Sequence, residues 1–120
     1  MKIAITSKGK ELNDLLDPRF GRAQYFVIYD LGSKKYEILD NSHINVSGGA
    51  GSGSAKTIAD SGAEAVISGN FGPNAVNALN AFGIKMYVSG GNSISRVIAA
   101  FEQGTLTQVT EATREGSHNG

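Results

Sequence analysis

Three stretches of this chain repeat one apolar spacing, and each runs out at a glycine. Ala55, Ile58, Ala59 and Gly62, then Ala75, Ala78, Leu79 and Phe82, then Ile94, Val97, Ile98 and Phe101 all fall at i, i+3, i+4 and i+7, the period of a helix that buries one face. Gly62, Gly83 and Gly104 stand at intervals of 21 residues, where each helix is expected to stop in a left-handed cap. Pro73 after Gly72 suits the first position of the second helix, and Ser93 can cap the third. The apolar runs Ala65 to Ser68 and Ile84 to Val88 between them read as strands. Strands joined through single helices pair in parallel, with right-handed crossovers.

The amino-terminal third has a different grammar. Lys2 to Thr6 is a compact apolar strand, followed by a polar loop from Ser7 to Asp14. Tyr25 to Tyr29 and Tyr36 to Leu39 are rich in aromatic and β-branched residues and are separated by the turn Leu31-Gly32-Ser33-Lys34, which makes a hairpin. The expected order is therefore β-β-β-α-β-α-β-α, a mixed sheet covered by helices. The segment 108–120 has few apolar anchors and is expected to fray as a tail.

Composition narrows the function. A chain of 120 residues closes one core, and 11 Lys plus Arg against 11 Asp plus Glu leave no global field to gather nucleic acid or anionic lipid. The absence of Cys removes disulfides, thiolate nucleophiles and all-thiolate metal sites. No apolar run approaches the ~20 residues of a membrane helix, and Met1 to Ser7 lacks the apolar centre of a signal peptide, so a cytoplasmic location is expected.

The chemistry is concentrated in three glycine-rich loops that precede the helices. They read Ser47-Gly48-Gly49-Ala50-Gly51-Ser52-Gly53, Ser68-Gly69-Asn70-Phe71-Gly72 and Val88-Ser89-Gly90-Gly91-Asn92. Loops at the carboxyl ends of parallel strands share one edge of the sheet. Glycines there either make tight turns or let backbone N–H groups and positive helix ends converge on an anion. Gly51 to Thr57 approaches the phosphate-loop pattern but has Ala55 where the glycine before Lys-Thr belongs, so Lys56 reads as a solvated helix residue. Metal-dependent nuclease chemistry is excluded, because the first strand carries no acid and Asp30 and Asp40 read as turn formers. With only His43 and His118 present, no Ser-His-Asp set can be drawn.

His43 is either a solvated loop residue or a metal ligand near the glycine-rich edge. Arg19 and Arg22, leaving the first strand for the second, either pair with Asp14 or Asp17 or clamp an anionic ligand.

Arg19-Phe20-Gly21-Arg22-Ala23 followed by Tyr25 to Asp30, Asn41 at the end of the third strand, Gly48-Gly49-Ala50-Gly51, Gly69 to Ala75 and Phe82 to Tyr87 together resemble the dinitrogenase iron-molybdenum cofactor-binding family. That family includes the NifX and NafY proteins and the carboxyl-terminal domain of NifB. The resemblance runs from Met1 to about Leu106 and implies one domain over 1–107 with a ribonuclease H-like α/β fold. In that fold a five-stranded mixed sheet has the order 3-2-1-4-5, with strand 2 antiparallel, and three helices.

The resemblance further implies a non-catalytic carrier of an anionic iron-sulfur or iron-molybdenum-type cluster or its precursor, with a cluster donor or acceptor protein as its partner. A monomer is slightly favoured. Read from the residues themselves, the expected site has Arg19 and Arg22 as charge partners, the backbone around Gly49, Gly51, Gly53, Asn70 and Gly72 as donors, and His43 as metal ligand. Two rivals remain: a cofactor-free interaction module of the same fold, and a small enzyme acting on a phosphorylated metabolite.

Overall fold

The computed structural model describes residues 1–41 and 50–112. Strand β1 (Lys2–Ser7) is followed by a loop that ends in a single 3-10 turn at Phe20–Arg22. Next come β2 (Tyr25–Asp30), β3 (Tyr36–Asp40), α1 (Ala50–Asp60), β4 (Ala63–Ser68), α2 (Pro73–Ala81), β5 (Lys85–Val88), α3 (Ile94–Gln103) and β6 (Thr107–Val109). They form one sheet of order β3-β2-β1-β4-β5-β6. β1 pairs parallel with β4 and β4 with β5, whereas β2 runs antiparallel to both β1 and β3. This is the ribonuclease H-like mixed sheet that the resemblance implied.

One expectation needs correction: the sheet has six strands, not five. Gly104 takes φ 74° and turns the chain back, so that Thr107–Val109 adds antiparallel to β5. Gln108 therefore lies in a strand and not in a frayed tail, and Asn80 Nδ2 donates to the Thr110 carbonyl beyond it (3.4 Å). Gly62 and Gly83 take φ 86° and 73°, as their positions required.

Strand alternation sends side chains to two cores. On one face Ala4, Phe26, Ile28, Val66 and Met86 meet Ala55 and Ile58 of α1 and Ala75, Val76 and Leu79 of α2. On the other, Ile3, Ile5, Val27, Ala65 and Ile67 meet Ile94, Val97 and Ile98 of α3. β1 is buried on both sides, which is why it reads as an unbroken apolar run. Helices α1 and α2 thus share one side of the sheet, and α3 has the other to itself. Among the described residues no helix is long and apolar enough to cross a membrane.

Candidate functional site

The carboxyl ends of β1 and β4 are locked by a small buried polar cluster. The Thr6 hydroxyl donates to the Asp17 carbonyl (2.6 Å) and lies 3.0 Å from the Ser68 hydroxyl. All three residues are buried. This holds the loop after β1 against the loop after β4, and Gly69 permits the approach: a Cβ there would lie 2.6 Å from Pro18 Cα. Asn70 N–H then donates to the Pro18 carbonyl (2.9 Å), and Arg19 bridges to Asn70 as in a parallel ladder.

Asp17 turns a carboxylate into this junction at 2% exposure. It accepts from Arg19 N–H (3.0 Å), Nε (3.2 Å) and Nη2 (3.2 Å). The hydrogen bond and charge of Asp17 hold the Arg19 guanidinium above its ordinary pKa, so it stays cationic. One edge of that fork is spent on Asp17, while the side chain remains 59% exposed. Of the two pairings open in the sequence, Arg19 takes Asp17; Asp14 instead accepts from the Glu11 N–H (2.9 Å).

Beyond Arg19 the chain makes its 3-10 turn. Phe20 drops into the core against Phe26 and Phe71, with ring centroids 5.9 and 5.4 Å away, and this anchors a turn that has no side-chain cap of its own. Arg22 is left exposed on the turn.

A cavity of about 160 Å³ opens between this turn and the amino ends of α1 and α2. Arg19, Arg22, Gly51, Asn70, Gly72 and Asn74 are among the residues that line it. At the α2 end, Gly72 caps without a side chain and Pro73 has no N–H to offer. The first α-helical bond is from Val76 N–H to the Gly72 carbonyl (3.0 Å). The N–H groups of Asn74 and Ala75 meet no acceptor among the described residues. Gly51 keeps them uncovered, since a Cβ on it would stand 3.2 Å from Ala75 N. Two guanidinium groups, two carboxamides and an unspent helix end thus face one space, with no carboxylate among its described lining residues. Such a wall attracts a compact anion.

Residues 1–104 match the family described as dinitrogenase iron-molybdenum cofactor. The chain belongs to that family. An uncharacterised protein of Methanocaldococcus jannaschii is 36% identical over 109 residues, covering 88% of this chain and 89% of its own. The apo form of the orange protein from Desulfovibrio gigas superposes with a TM-score of 0.91 at 35% identity, over 94% of this chain and 96% of that one. An NMR structure of a Thermotoga protein provisionally named as NifB gives a TM-score of 0.85 at 37% identity, over 96% and 98% of the two chains.

Five residues expected at the site from the sequence, Arg19, Arg22, Gly51, Asn70 and Gly72, line this same cavity. Gly53 does not: it lies inside α1, where its carbonyl accepts from the Thr57 hydroxyl (3.2 Å). His43 and Gly49 lie outside the described residues, as does His118. Among the described residues no three His, Asp or Glu side chains gather as a metal site. Lys56 is solvated and pairs with Asp60 (3.1 Å). The third glycine loop, 88–92, does not line the cavity, because it feeds α3 on the opposite face. Asn74 was missed by sequence reasoning, although Gly72-Pro73 immediately before it is the mark of a helix start.

Proposed function

We propose that the cavity between the Arg19–Arg22 turn and the amino ends of α1 and α2 holds an anionic metal-sulfur cluster, or a precursor of one, as cargo. The observation that carries this reading is the unspent α2 end: the Asn74 and Ala75 N–H groups, uncovered by Gly51, face the same space as two arginines. The donor chemistry fits the cargo. Sulfide at the surface of a cluster accepts hydrogen bonds from backbone N–H, carboxamide and guanidinium groups, and a wall without thiolates does not compete with it for metal. The wall thus supplies charge and hydrogen bonds, and His43, which lies outside the described residues, is the proposed metal ligand.

We read the protein as a cytoplasmic carrier and not as an enzyme. The described lining side chains are Arg, Phe, Asn, Pro and Ala, with glycine backbone between them, and none of them exchanges a proton near neutral pH. Family membership supports a cofactor-handling role that ends in transfer to an acceptor protein. So does the neighbouring orange protein, whose structure is that of an apo form.

Anaerobic titration with tetrathiomolybdate, followed by visible absorption and native mass spectrometry, tests the reading, with sulfate as a control of equal charge. A retained one-to-one complex is expected, weakened in Arg22→Ala and in His43→Ala. No retention by the unmodified chain overturns it and leaves the cofactor-free interaction module. Turnover of phosphoesters at high protein concentration would instead favour the enzyme.

A further inference from the structure

Asn41 stands at the carboxyl end of β3, buried to 4% exposure, and has no place among the residues that line the cavity. Its carboxamide nevertheless touches two of the elements that build it. Nδ2 donates to the Gly21 carbonyl (3.2 Å) and to the Ala23 carbonyl (2.9 Å), the carbonyls of the two residues on either side of Arg22. Oδ1 accepts from the Ser54 hydroxyl of α1 (3.0 Å), itself fully buried, and the Asn41 backbone N–H donates to the Gln24 carbonyl (3.1 Å). Only a primary carboxamide offers two donors and an acceptor in one plane at this reach. An aspartate would set a carboxylate against two carbonyls, and a leucine would leave two carbonyls and a hydroxyl unpaired in the core.

We propose that Asn41 is the positioning residue of the anion pocket, because it grips the carbonyls on either side of Arg22 and ties them through Ser54 to the helix that carries Gly51. The proposal rests on the cargo-binding reading above. Phe20 fixes the depth of the 3-10 turn; Asn41 fixes its rotation, and with it the direction from which Arg22 leaves the backbone. Without the carboxamide the turn keeps its aromatic anchor but loses its register against α1. Groups that orient the groups touching a ligand commonly matter nearly as much as those groups themselves.

The test is a double-mutant cycle on tetrathiomolybdate affinity with Asn41→Ala and Arg22→Ala, each variant checked for its fold by NMR fingerprint. Asn41→Ala is expected to weaken binding by roughly tenfold in the unmodified chain. In the Arg22→Ala background the same change is expected to weaken it by less than about twofold, because what Asn41 positions is gone. Ser54→Ala, which removes one hydrogen bond of the clasp, repeats the cycle in case Asn41→Ala does not fold. A folded Asn41→Ala or Ser54→Ala that binds as the unmodified chain does, or that loses the same factor in both backgrounds, overturns the positioning role and leaves the pocket standing. If the unmodified chain does not bind the probe at all, the pocket falls first and this proposal with it.

Discussion

Helices α2 and α3 both begin after glycine-rich loops at the same edge of the sheet, yet their amino ends are in opposite states. At α3 the first-turn donors are all spent. Ile94 N–H reaches the Asp14 carbonyl (2.9 Å), Ser95 N–H the Leu12 carbonyl (2.9 Å) and Arg96 N–H the Ser93 hydroxyl (3.3 Å). The loop after β1 lies across that helix end and closes it with its own backbone. At α2, Pro73 brings no N–H, and those of Asn74 and Ala75 are unspent among the described residues. The glycines differ in the same way: a Cβ on Gly90 or Gly91 would meet nothing within 4 Å, whereas one on Gly69 would collide with Pro18 and one on Gly51 would press on Ala75. A glycine-rich loop before a helix is thus a weak sign of a binding site. What decides is whether the chain's own carbonyls have already taken the donors.

The comparison breaks most sharply at Gly69. Gly69→Val places a branched side chain where Pro18 Cα lies 2.6 Å and Pro18 Cβ 2.7 Å from an added Cβ. Urea unfolding should show a loss of about 3 kcal/mol, at the upper end for overpacking. Gly90→Ala, in open space before α3, should stay within about 0.5 kcal/mol of the parent. Similar losses at the two sites would mean that both loops are equally tight.

Gly51→Ala sharpens the binding half of the contrast. The added methyl stands 3.2 Å from Ala75 N and 3.3 Å from its Cβ, over the unspent donors. Tetrathiomolybdate affinity should fall about tenfold, or about 1.4 kcal/mol. Stability should move by less than about 1 kcal/mol, because helix propensity gained at the glycine offsets the tight contact. Ser93→Ala is its mirror image: losing the N-cap should cost about 1 kcal/mol in denaturant and leave affinity unchanged.

The elements were legible in the sequence where apolar period and glycine spacing agreed, which covers all three helices and the first five strands. β6 was not, because Thr107–Val109 offers three residues with one partly buried apolar side chain, too few to show a period. The start of α1 was hidden for a related reason: Gly51, Ser52 and Gly53 carry no apolar signal, so a helix that begins at Ala50 reads as loop up to Ala55. That misplaced Gly53. Gly51, Asn70 and Gly72 were legible because strand-to-helix loops gather at one edge of a parallel sheet, and Arg19 and Arg22 because the connection from β1 to β2 starts at that same edge. Which face each helix then covers is settled by tertiary packing, and this separated the third loop from the other two. The plug on α3 left no trace either, since Leu12 and Asp14 close it with carbonyls that every residue possesses.

The smallest effect concerns a third set of donors, at the other end of the sheet. Asp30, opposite Lys2 in the β1–β2 ladder, accepts from the Gly32 N–H (2.9 Å) and the Ser33 N–H (3.4 Å). Those two bonds, Gly32 first, hold its carboxyl below the ordinary value of 3.8. A carboxylate with a depressed folded-state pKa stabilises the fold above the unfolded-state value, and that contribution is lost as pH falls through the folded-state value. Asp30→Asn removes the titration while keeping an oxygen for the turn, so the acid limb of the stability profile below about pH 4 should flatten slightly. Affinity for tetrathiomolybdate at neutral pH should not change, since these donors, like those of α3, are already taken by the chain itself. A change in affinity with Asp30→Asn would mean that the anion is read by the field of the whole molecule, and the distinction between open and closed donor sets would then lose its force.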